Sequence, residues 1–156
     1  MIVFTEMSPP INLLQIEEIE IMLGFSLPYI YKNHLLQYNG GRCSPNVFSF
    51  QERNRLTNSC IHYFLAINGL QYNDMKKEIE FYKIEDKHLP THIVPIAYDP
   101  GGNLVCISCG VADMGYIYFW DHEREVNYLI SDDNDYSNIY LIAKNFDEFL
   151  NGLRYE

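Results

Sequence analysis

Ile93-Val94-Pro95-Ile96-Ala97-Tyr98-Asp99-Pro100-Gly101-Gly102-Asn103-Leu104-Val105-Cys106-Ile107-Ser108 decides the fold class. Apolar, strand-forming residues fill 93–98 and 104–108. The Asp, Pro, Gly and Asn between them supply the backbone freedom and side-chain hydrogen bonds that reverse a chain. Residues 116–120, Tyr-Ile-Tyr-Phe-Trp, add a third run at the same short spacing, so the second half of the chain reads as an antiparallel meander. Upstream, 47–50 and 61–66 are further strand signals, and 51–59 between them reads as a polar loop.

Outside this strand region the apolar period changes to that of helices. Asn12 with Gln15 fits a capping box, and Leu13, Ile16, Ile19, Met22 and Leu23 recur at helical spacing up to Gly24. Pro28 is expected at the first position of a second helix that carries Tyr31, Leu35 and Tyr38. Asn39-Gly40-Gly41 ends that helix by supplying left-handed backbone. Asn73 or Asp74 caps a third helix through Met75, Ile79 and Tyr82, which Leu89-Pro90 terminates. Asn145 with Glu148 starts a fourth, whose stripe is Phe146, Phe149, Leu150 and Leu153. The class is therefore α+β, a mainly antiparallel sheet with two N-terminal helices, a central helix and a C-terminal helix. No linker or repeat interrupts 1–156, which reads as a single domain.

The chain has 156 residues, 47% apolar and 15% aromatic, enough for a core that needs neither disulfide nor metal. Its 11 basic and 21 acidic residues give a net charge of -10, which speaks against direct nucleic-acid binding because phosphate contacts need clustered Lys and Arg. The excess is uneven. Residues 1–78 carry 6 basic and 7 acidic groups, net -1, and residues 79–156 carry 5 and 14, net -9. Within that half, Asp121, Glu123, Glu125, Asp132, Asp133 and Asp135 face Arg124 as their local basic residue, which should project a negative potential. The N-terminus lacks the pattern of a secretory signal and no apolar run approaches bilayer length, so a cytoplasmic protein without membrane association and with reduced cysteines is expected.

Few motifs carry chemistry. Cys106-Ile107-Ser108-Cys109 is a CxxC, but positions i and i+3 of a strand point to opposite faces and no second ligand pair follows. His88 and His92 stand four apart with Leu89-Pro90 breaking any helix between them. The phosphate loop, dinucleotide fingerprint and nucleophile elbow are absent. Asp121-His122-Glu123 offers acid, base and ligand groups together, and with Cys109 it is the basis of a rival reading as a metal-dependent enzyme. Trp120 and Asp121 equally suit a structural role, with the indole buried and the carboxylate capping a turn.

The ordered landmarks resemble the SUKH superfamily, in the branch related to the fungal cell-wall regulator Knr. They are Ile16-Glu17-Glu18-Ile19-Glu20, Leu23-Gly24, Leu27-Pro28, Tyr31-Lys32, Asn39-Gly40-Gly41, Leu89-Pro90, Val94-Pro95-Ile96-Ala97-Tyr98 and Gly102-Asn103. Gly115, Tyr118-Phe119-Trp120-Asp121-His122-Glu123 and residues 142–150, with Phe146 and Phe149, complete the set. The resemblance implies a sheet wrapped by helices, no catalytic residues and no cofactor. It also implies an immunity protein that neutralises a cognate protein toxin, often a nuclease, by occlusion. A non-catalytic scaffold of the Knr type is the alternative. The surface expected to meet the partner is Asp121, His122, Glu123, Glu125, Asp132, Asp133, Asp135 and Tyr136. Oligomeric state is not legible in the sequence.

Overall fold

The expected meander forms, and it is longer at both edges than the sequence suggested. The computed structural model describes residues 1–156. Five antiparallel strands run in chain order: β5 (Tyr63–Phe64), β6 (Ile93–Tyr98), β7 (Leu104–Ser108), β8 (Ile117–Trp120) and β9 (Ile139–Ala143). Every residue of β7 and β8 is buried. Asp99 makes the β6–β7 turn: its carboxylate accepts from the backbone N–H of Gly101 and Asn103, from Asn103 Nδ2 and from Ser59 Oγ, all within 2.8–2.9 Å.

Strand alternation separates two apolar layers. Val94, Ile96, Val105, Ile107, Ile117, Phe119 and Ala143 belong to the main core, with all four helices packed on it. Ile93, Leu104, Cys106, Tyr118, Trp120 and Ile139 form the opposite layer with Leu89. The two thiols of the CxxC part accordingly, Cys106 into the smaller layer and Cys109 into the main core.

The helices are α1 (Leu13–Leu23), α2 (Tyr29–Gln37), α3 (Met75–Ile79) and α4 (Phe146–Asn151). Asn12 and Gln15 make the full reciprocal capping box, and the Asn145 side chain accepts from Glu148 N. Glu20 ties the first two helices together, accepting from Leu27 N at 2.6 Å and pairing with Lys32 at 3.4 Å. Pro28 is the cap of α2, one position before its first turn. Buried Asn39 spans two loops, donating to Pro9 O and Ile67 O and accepting from Ile67 N. Gly41 adopts φ +90, and a Cβ there would stand 2.3 Å from the Thr5 carbonyl oxygen. That close approach lets β1 (Val3–Thr5) pair with β2 (Arg42–Ser44).

Three further expectations need correction, and two strands had no counterpart among them. Residues 51–59 are the turn and second arm of a hairpin, β3 (Val47–Glu52) with β4 (Arg55–Cys60), not a loop. The second arm, Arg-Leu-Thr-Asn-Ser-Cys, reads as polar because none of its residues is buried. The strand expected over 61–66 shrinks to Tyr63–Phe64, since beyond the flanking bonds of His62 and Leu65 to β6 the chain leaves it, Ile61 N bonding Asn46 O and Ala66 N bonding Asn73 O. The third helix leaves α geometry after Ile79 and finishes as a π-helical segment, Glu80–Glu85. There Lys83 Nζ donates to the carbonyls of Pro90, Thr91 and Ile93. β1 and β9 carried no strand assignment in the sequence reading; β1 is too short and too exposed to show a pattern.

Candidate partner-binding surface

All eight residues expected to meet a partner lie on one excursion, the connection between β8 and β9. It leaves the sheet after Trp120 and returns at Ile139, which are paired across the strands. Buried Asn138 closes its base: Asp121 N donates to Asn138 O at 3.0 Å, and Asn138 Nδ2 donates back to Asp121 O at 3.3 Å. Residues 121–138 are thus an extruded loop with locked ends, carrying six carboxylates and one arginine.

Its first turn is a 3₁₀ segment, His122–Arg124, capped by Asp121, whose carboxylate accepts from Glu123 N at 2.9 Å. Trp120 is buried and meets Tyr82 edge to face, so its indole is structural and Asp121 caps a turn beside it. His122 is held by Asn103 of the β6–β7 turn: both its backbone N–H, at 3.1 Å, and Nδ1, at 2.6 Å, meet Asn103 Oδ1. Glu125 stands 3.6 Å from His88, which also lies 3.7 Å from Asp86.

The second half is pinned by its own aspartates. Asp132 accepts from Asn134 N, and Asp135 accepts from the backbone and hydroxyl of Ser137. Asp133 reaches across to Thr91 N at 2.9 Å, joining the loop to the segment that Lys83 holds. Burial alone would raise the Asp133 pKa, but the Thr91 hydrogen bonds and nearby His92 outweigh it and keep the carboxyl below its ordinary range. The bonds to Ser137 lower Asp135 likewise. Both carboxylates therefore hold their charge to lower pH than a free aspartate.

Tyr136 does not project outward alone. Its hydroxyl donates to Asp113 at 2.8 Å and lies 2.5 Å from His92 Nε2. Asp113 also accepts from Ser108 Oγ and Tyr118 Oη. Desolvation works against the Asp113 charge, yet these three hydroxyl donors depress its pKa overall. Asp113, His92 and Lys83 escaped the sequence reading as organisers of this face. The partners that give each its role, Tyr136 for Asp113 and His92 and the 90–93 carbonyls for Lys83, meet it only through the fold.

The residues of the metal-enzyme reading do not meet. His122 is fixed beside Asn103, ahead of β7, whereas Cys109 follows the far end of that strand in the main core. No group of three or more His, Cys, Asp or Glu side chains is placed to hold a metal ion. Burial pushes the Cys109 thiol up to about 12, away from the thiolate form that ligation or nucleophilic attack needs.

Comparison with known proteins supplies the ancestry. The profile of the SMI1 / KNR4 family (SUKH-1) matches residues 10–152. The chain belongs to that family. The SUKH-1 match covers all four helices and all strands but β1. This SUKH-1 chain is also 29% identical over 159 aligned positions to a Bacillus subtilis (strain 168) protein described as "SPbeta prophage-derived uncharacterized protein YokK", covering 87% of this chain and 71% of the relative. Within the SUKH-1 fold the resemblance residues divide by task. Leu27, Tyr31, Phe146 and Phe149 are core, Asn39, Gly40 and Gly41 shape the crossing of loops, and Gly102 turns the β6–β7 hairpin at φ +85. No helix is long and apolar enough to cross a membrane.

Proposed function

We propose that this SUKH-1 protein is an immunity protein: one unit of residues 1–156 that binds a cognate toxin domain in the cytoplasm and neutralises it by occlusion, without catalysis or cofactor. The observation that carries the reading is the 121–138 loop, whose four aspartates are held in place by hydrogen bonds before any partner arrives. Preordered anions on a locked loop suit recognition of a basic surface. The side chains lose little further entropy on binding, and the long-range field accelerates encounter. A nuclease that grips phosphate presents such a surface, and covering it denies the enzyme its substrate. The family supports the reading too, since its members are commonly toxin immunity proteins.

Co-expression with the product of the neighbouring open reading frame tests the proposal. Growth rescue together with a one-to-one complex is the expected result. Absence of any complex with that product, alongside a stable complex with an unrelated cellular protein, would favour the scaffold reading instead.

A further inference from the structure

A second concave site adjoins the acidic loop, and nothing above assigns it a role. Tyr63 of edge strand β5 and Tyr98 of β6 are paired positions, so their rings share a face of the sheet, 5.4 Å apart and inclined at 49°. Tyr72, from the loop before α3, stands nearly perpendicular to Tyr63 at 5.3 Å. Glu78 of α3 completes the wall, accepting from Tyr98 Oη at 2.5 Å, while Tyr82 Oη supports Tyr98 from 3.1 Å. The cavity measures about 630 Å³, and Arg42, His62, Asp99, Pro100 and Gly102 form the rest of its lining.

Three mutually inclined tyrosine rings line one cavity, and the π face of such a ring attracts a cation. The carboxylate beside them is unspent: Glu78 Oε2 takes the Tyr98 proton, and Oε1 accepts no hydrogen bond from the protein. Asp99, the other acid in the wall, is consumed by its turn. Arg42 lines the cavity but pairs with Glu6, which offsets part of its charge there. Burial lifts the Glu78 pKa against the opposing Tyr98 hydrogen bond, so a cation seated beside it would favour the charged carboxylate. Gly102 links this site to the acidic loop, because His122 is the group nearest to where a Cβ on Gly102 would stand.

We infer that this cavity is a cation cage for a lysine or arginine side chain of the protein partner, seated among Tyr63, Tyr72 and Tyr98 and ion-paired with Glu78. The source of the side chain rests on the proposed partner-binding function; the affinity of the cage for an alkyl cation does not. The acidic loop attracts the basic partner from a distance, and the adjoining cage fixes one of its side chains in register.

The test uses the intact chain with its tyrosine rings isotopically labelled, titrated with N-acetyl-lysine methylamide and N-acetyl-arginine methylamide against sodium chloride at matched ionic strength. Saturable shifts of the Tyr63, Tyr72 and Tyr98 ring signals are expected with at least one amino-acid probe and not with the salt. Tyr72→Ala and Glu78→Gln should each weaken binding at least about threefold, and Arg42→Gln should tighten it. Tyr72 is half exposed, so Tyr72→Ala keeps the fold, as unchanged Trp120 fluorescence would verify. No saturation with either probe, or equal saturation in both cage variants, overturns the inference. Growth rescue with flat titrations discards the cage alone, whereas saturation without rescue discards the immunity reading alone.

Discussion

Phe50 lies flat on Phe119, ring centroids 4.2 Å apart and planes 15° from parallel. One ring belongs to the β3–β4 hairpin and the other to β8, so this stack is where the hairpin is fastened to the five-stranded sheet. Tyr140 of β9 extends the stack at 5.8 Å, and Phe48 packs on Phe149 at its side. Both Phe50 and Phe119 are buried.

Phe50→Ala should therefore cost about 3–5 kcal/mol of unfolding free energy, the usual range for emptying a buried aromatic site. A double-mutant cycle with Phe119→Leu should show coupling of about 0.5–1.5 kcal/mol. Urea titration followed by Trp120 fluorescence reads both. Strict additivity would mean the hairpin is held elsewhere.

His34 gives the fold an acid-sensitive point. It is buried among Phe4, Tyr38, Phe64 and Phe146, with Nε2 unpaired. Burial lowers its pKa to about 4. The unfolded chain, with an ordinary imidazole near 6.5, thus binds a proton before the folded one does. Stability from the neutral ring is complete above about pH 6.5 and is lost as pH falls towards 4, reaching about 2 kcal/mol by pH 5. His34→Phe should flatten the stability profile between pH 7 and 5 relative to wild type. Parallel profiles would place the titration elsewhere.

Gly41 and Gly24 make a controlled pair. Both have left-handed backbone, φ +90 and +87, but a Cβ on Gly24 meets nothing within 4 Å. Gly24→Ala should cost about 1 kcal/mol, the backbone penalty alone. Gly41→Ala should cost about 2 kcal/mol or more because the β1–β2 pair must also give way. Thermal melts of the two variants distinguish these outcomes, and equal losses would count against the close approach to Thr5.

Replacing Asp132, Asp133 and Asp135 together by Asn keeps an acceptor for Asn134 N, Thr91 N and Ser137 N while removing three charges. The melting temperature should fall modestly, because the fold stabilises the charged form of Asp133 and Asp135. Association with the partner should slow about tenfold at low salt and converge on the wild-type rate at high salt. Stopped-flow measurement across ionic strength checks this, and a salt-independent rate difference would assign these residues to direct packing.

What the sequence revealed depended on burial. Residues 93–98 and 104–108 declare themselves because both their faces are covered, so nearly every side chain is apolar. The helices show through Asn12, Asn145 and their apolar stripes. β4 stayed hidden because it lies uncovered and needs no apolar pattern. The π-helical segment carries Lys83, whose three carbonyl partners follow it in the chain, contacts that no local propensity records. The acidic loop was visible as charge, but its closure by Asn138 and its tether from Asp133 to Thr91 were not. The cage was invisible altogether, since Tyr63, Tyr72, Glu78 and Tyr98 become neighbours through strand pairing and the placement of α3.

The mutual clasp of Asp121 and Asn138 has a bearing on how such a chain can change over generations. Because the two ends of the excursion hold each other, the letters between can be rewritten over the same scaffold wherever they do not bond back to it as His122, Asp133 and Tyr136 do. Lineages descended from one ancestor could thus vary this segment while inheriting the same body.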